Sequence, residues 1–133
     1  MNSCRGIGGR VRREVIAPGK PTLDAARKSN LPLSPAIRAG DFVFLSGIAP
    51  PDHGTVSAET RQILTNMAQL LERSGSSLAK VVKVNVLIYS MLEYENMNSV
   101  YREFFPVDPP ARTVCGAGLI GGHKVEIECV ALA

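Results

Sequence analysis

Two residues of this 133-residue chain have the type and setting to do chemistry: an arginine and a glutamate. Arg112 follows Pro109-Pro110-Ala111 and enters a short apolar segment. A guanidinium at a strand mouth presents a planar fork that grips a carboxylate through two parallel hydrogen bonds, which a lysine cannot copy. The same setting serves equally for a salt bridge to Glu126 or Glu128. Glu126 stands two residues from Glu128 in an alternating segment, so the two carboxylates share a face. Such a carboxylate can hold a water and move protons, or it can belong to a solvated sheet face.

Other chemistries find less support. Cys4, Cys115 and Cys129 are odd in number and lack CxxC or metal-ligand spacing, which argues against a disulfide framework and a zinc site. His53 and His123 stand far apart in the chain and offer Cys115 no evident base, so no nucleophilic triad can be read. Cys115 reads as a small core or interface residue. Gly116, Gly118, Gly121 and Gly122 do not open a helix after a strand, as a phosphate-binding loop must, and are accounted for by turn chemistry.

Alternating and helical patterns say which elements hold these residues. Glu14 to Ala17 reads as a short strand before the Pro18-Gly19-Lys20-Pro21 break. Ala36-Ile37-Arg38 and Phe42-Val43-Phe44-Leu45-Ser46 read as two strands joined at Gly40-Asp41. Ser57 is expected to cap a helix whose stripe is Ile63, Leu64, Met67, Leu70 and Leu71, with Gly75 beyond its end. Val81 to Tyr89 reads as a strand with Val82, Val84, Val86 and Ile88 on one face and Lys83 and Asn85 on the other. Ser90 and Glu93 have capping-box spacing ahead of a helix carrying Tyr94, Met97, Tyr101, Phe104 and Phe105, which Pro106 stops. Strands over Arg112 to Cys115 and Lys124 to Leu132 complete the order strand, strand, strand, helix, strand, helix, strand, strand. Two helices in one layer cover one sheet face. The other face, with Lys83, Asn85, Glu126 and Glu128, suits a wet interface with sister subunits.

With 45% hydrophobic and 20% charged residues, the composition is that of a globular domain. Residues 1–13 read as a flexible basic tail and 14–133 as a single domain. The formal charge of +3 is concentrated at the start, where Arg5, Arg10, Arg12 and Arg13 precede the first acid, Glu14. Removing them leaves 11 basic against 12 acidic residues, a body charge of −1. So neutral a body lacks the basic footprint of nucleic-acid recognition, and RNA or DNA is disfavoured as a partner. No apolar run reaches the roughly 18 residues of a membrane span, and the N-terminus lacks a signal-peptide core. The expected compartment is the cytoplasm, although the Arg-rich, acid-free start faintly resembles an organelle-targeting segment.

Taken together, IRAGDFVFLSG, VVKVNVLIYS, NMNSVYREFF, PPARTV and KVEIECVALA resemble the YjgF/RidA family over roughly residues 33–133. PPAR followed by a late strand with E-x-E is the most specific signature. The resemblance implies an α+β, chorismate-mutase-like fold, a six-stranded mixed sheet with two helices on one face, assembled as a homotrimer with ligand clefts between subunits. It implies further that Arg112 binds a substrate carboxylate and Glu126 positions a hydrolytic water. Ser46, from the SG pair, and Asn98, three residues before a helical tyrosine, match further site positions of the deaminase branch.

There are departures. Leu33 stands where that branch has a tyrosine, Ile48 replaces a glutamine, and Cys115 falls one place after the usual cysteine, now Val114. The Gly-rich turn is one residue shorter. These changes predict a more apolar pocket than that of the typical deaminase. The implied activity is hydrolysis of reactive enamines or imines to 2-keto acids and ammonia, without metal or organic cofactor. A non-catalytic carboxylate-binding or interaction protein of the same fold is the alternative, and an endoribonuclease a third.

Overall fold

In the computed structural model, which describes residues 12–16 and 30–133, the alternating segments pair into one six-stranded sheet. Its strands are β1 (Arg13–Ile16), β2 (Ala36–Ala39), β3 (Phe42–Leu45), β4 (Val81–Ile88), β5 (Ala111–Gly116) and β6 (Val125–Leu132). They lie in the order β1-β2-β3-β6-β4-β5. All neighbours are antiparallel except β4 and β5. A parallel pair needs a crossover, and helix α2 (Tyr94–Phe104) lies on it. Helix α1 (Val56–Arg73) joins the β3 side to β4. The element order expected from the sequence is the order found. The reading of residues 1–11 as a tail and of the Pro18 to Pro21 break lies outside the described residues, and β1 already begins at Arg13.

The core lies between the sheet and the helices. Ile63, Leu64, Met67 and Leu71 of α1 are wholly buried at three- and four-residue spacing, each worth about 1.5–3 kcal/mol by burial. They meet Val43, Val84, Val86, Ile88, Val125 and Ile127 from the sheet and Met97 and Tyr101 from α2. Gly75, at φ 81°, ends α1 in the left-handed region that glycine adopts without a Cβ penalty.

Three local expectations are corrected. Thr55, not Ser57, caps α1, its hydroxyl accepting from the Ala58 amide at 3.1 Å, while the Ser57 hydroxyl donates to the Asn96 carbonyl at 3.4 Å. Val82 leaves the buried face because the β4–β6 register shifts between Val81 and Lys83, a bulge that turns its side chain outward. The Ser90–Glu93 capping box does not close. Ser90 accepts from Leu92 within a 3-10 turn, Met91–Glu93, and the Glu93 carboxylate accepts from the Asn96 amide at 2.6 Å.

Glu59 has a role its place in the first turn of α1 does not announce. It is fully buried, and its carboxylate accepts from the amides of Lys124 at 2.7 Å, Val125 at 3.2 Å and Gly54 at 3.2 Å. Three donors offset the cost of burying a charge. The clamp fixes where β6 starts, and Glu126 is the second residue of that strand.

Candidate functional site

Arg112 sits at position two of the edge strand β5, paired with Val84, and so points to the helix-covered face. Its partners there are all neutral. Nη1 donates to Asn98 Oδ1 at 2.8 Å and Nη2 to the Tyr94 hydroxyl at 3.2 Å. The guanidinium carbon lies 4.6 Å from the Tyr101 ring centroid and 5.8 Å from that of Tyr94, within cation–π range. Asn98 is buried, and its amide donates onward to Glu95 at 3.2 Å. These residues, with Phe105, Pro109 and Pro110, wall a cavity of about 380 Å³. Among the described residues the ion pairs are Arg61–Glu103 and Arg102–Glu95, so Arg112 has no acid partner. A salt bridge to Glu126 or Glu128 is thereby excluded within the chain.

Tyr101 closes the floor of this cavity. Burial pushes its phenol up to about 12, Arg112 opposes the rise, and Cys129 adds to it. Its hydroxyl is buried without a partner among the described residues. Cys129 is likewise pushed up to about 12 by burial, with Glu128 adding to the rise, and is an inert core thiol.

Glu126 lies on the opposite sheet face. It pairs with Leu87, and Leu87 with Cys115, so Glu126, Leu87 and Cys115 form one row across β6, β4 and β5. Beside Glu126 the β3–β6 ladder carries an extra residue: Phe44 faces Val130, and Ile48 then bridges Ile127. This bulge brings the Gly47 backbone against the Glu126 carboxylate so closely that a Cβ at position 47 would collide with it. Glu128, farther along, accepts from Asn85 at 2.8 Å. Cys115 is exposed, with its own neighbour's carbonyl as its sulfur's partner at 3.4 Å.

Ser46 and Leu33 belong to a third place. They line a cavity of about 350 Å³ between the β3 end and α1, with Pro35, Gly47, Ile48, Asn66, Gln69, Leu70 and Arg73. The Ser46 hydroxyl donates to the Ser34 carbonyl at 2.6 Å. One chain therefore brings Arg112 together with Asn98, and Leu33 with Ser46 in a cavity whose Gly47 also abuts Glu126, but does not unite Arg112 with Glu126 or Cys115.

Sequence reasoning missed three features. Helical spacing marks Tyr94 only as a helix-face residue, although it touches Arg112. Gly47 gave no signal beyond the SG pair. The two histidines, far apart in sequence, stack with ring centroids 4.9 Å apart and 22° between planes. Among the described residues no group of three or more His, Cys, Asp or Glu could hold a metal ion, and no helix is long and apolar enough to cross a membrane.

Residues 24–133 match the family model described as endoribonuclease L-PSP. Over 129 residues the chain is 35% identical to Reactive Intermediate Deaminase A, chloroplastic, of Arabidopsis thaliana, covering 91% of this chain and 66% of that one. It is 33% identical over 128 residues to the 3-aminoacrylate deaminase RutC of Acinetobacter baylyi, covering 90% and 97%. Among solved structures, YyfA of Yersinia pestis, from the conserved Rid protein family, superposes with a TM-score of 0.75 at 28% identity, covering 77% of this chain and 89% of that one. The sheet order, the PPAR strand and these matches agree, and the chain belongs to the YjgF/RidA family.

Proposed function

We propose that this protein hydrolyses reactive enamine or imine intermediates to 2-keto acids and ammonia in clefts completed by neighbouring subunits of a homotrimer. The observation that carries the reading is the partly buried guanidinium of Arg112, held by neutral groups and, among the described residues, lacking an acid partner. A cation so placed is a receptor for an anion. A substrate carboxylate supplies the missing charge. That two curated relatives are named deaminases supports the same reading.

The chemistry asks little more. The enamine carbon takes a proton to give the imine, water adds to the imine carbon, and the tetrahedral carbinolamine expels ammonia as its C–N bond breaks and the carbonyl forms. Arg112 anchors the carboxylate; Glu126 holds the water, takes its proton and passes it to the imine nitrogen. Arg112 and Glu126 lie on opposite faces of one sheet, so the two meet only if adjacent subunits contribute one each. The exposed apolar residues Phe42, Phe44 and Leu132 on the face that carries Glu126 offer the material for such a contact.

Ammonia release from a panel of freshly generated 2-imino acids, measured against the buffer rate, tests the activity. Acceleration is expected. A protein that binds 2-keto acids yet accelerates nothing would instead be a carboxylate sensor, the reading favoured by Leu33 where the deaminase branch has a tyrosine. The body charge of −1 argues against RNA as substrate.

A further inference from the structure

We infer that the Tyr94 hydroxyl is a second donor to the ligand carboxylate, making a two-residue clamp with Arg112; this rests on the reading of Arg112 as a carboxylate receptor. Tyr94 and Asn98 lie one turn apart on α2 and both contact the guanidinium, but their remaining valences differ. Asn98 is used at both ends, its oxygen accepting from Arg112 and its nitrogen donating to Glu95. It positions Arg112 and keeps one N–H of its amide free. Tyr94 is used at one end only. Arginine has donors and no acceptor, so the phenol oxygen must accept at 3.2 Å, and among the described residues its own proton has no acceptor.

That proton is directed by its surroundings. The guanidinium repels it, and the cavity into which Tyr94 and Arg112 both open is otherwise walled by Asn98, Tyr101, Phe105 and prolines, with Glu95 and Arg102 at the rim. An anion drawn in by Arg112 meets the phenolic O–H beside the free guanidinium donors. A carboxylate has two oxygens with about four acceptor sites, enough for both residues. The clamp selects for a carboxylate over a neutral amide of the same shape.

Binding of pyruvate and of its neutral amide, pyruvamide, to the full chain tests this by titration calorimetry. Tyr94→Phe keeps the ring against Arg112 and removes only the hydroxyl. Pyruvate binding is expected to weaken roughly tenfold, while pyruvamide binding holds constant and the melting temperature stays near that of the parent. Equal weakening toward both ligands would make Tyr94 a packing residue and overturn the inference. If Arg112→Lys weakens pyruvate and Tyr94→Phe does not, the second donor is refuted and the carboxylate receptor stands. If the parent binds pyruvate no better than pyruvamide, the receptor fails and the clamp with it.

Discussion

Arg112 carries a test that separates a clamp from a structural cation. Lysine retains the charge but loses the planar fork, and hydrogen bonds to charged groups are worth about 1.5–3 kcal/mol each. Arg112→Lys is expected to lower kcat/KM roughly tenfold to a hundredfold, with the trimer and melting temperature little changed, because no acid among the described residues pairs with the guanidinium. A destabilised variant of full activity would refute the role. Gly47→Ala asks the same of Glu126. The added methyl takes the space of the carboxylate, and a displacement of about 1 Å in a reacting group costs on the order of a hundredfold in rate. Turnover is expected to fall while pyruvate affinity, which the proposed function assigns to Arg112, persists. The places of Arg112 and Glu126 on strands were legible because strand alternation marks them. Tyr94 and Gly47 were not, since each matters through a neighbour distant in sequence.

At the scale of elements, Glu59 links α1 to the start of β6. Glu59→Gln replaces an acceptor-only group by one whose NH₂ must face some of the three amides that now donate to it. A loss of about 1–3 kcal/mol in urea unfolding is expected, together with reduced turnover as the anchoring of Glu126 loosens. Unchanged stability would show the clamp to be dispensable. The helices and strands themselves could be read from spacing, since a stripe such as Ile63, Leu64, Met67 and Leu71 is a local property. What eluded that reading depends on partners. The outward turn of Val82 comes from β6, the capping by Thr55 from the path of the preceding loop, and the His53–His123 stack from two loops folded together.

For the whole molecule, the sheet face away from the helices holds Phe42, Phe44 and Leu132, each more than 40% exposed. Light scattering on the purified protein is expected to give three times the chain mass. Phe44→Glu, which sets a charge in that patch, is expected to yield monomers that have lost turnover but keep their helical circular dichroism. A parent protein that is monomeric at micromolar concentration would remove the shared cleft. The polar members of this face, Lys83, Asn85, Glu126 and Glu128, were visible as an unpartnered side of the sheet, and so was the fold class. The strand order was not, because nothing in a single sequence says that the final strand enters the middle.

That order bears on how the chain reaches its native state. β3 and β4 are both synthesised before β6, which separates and joins them. Until β6 arrives, a β1-β2-β3 meander and a β4-α2-β5 unit exist side by side, each with one inner edge of unpaired amides and carbonyls. Folding therefore closes late and through contacts distant along the chain, the kind that slow a small protein and leave sticky edges open while it waits. A nascent chain stalled before Val125 is expected to be captured by chaperones and cut by proteases, and one that has released Leu132 to resist both.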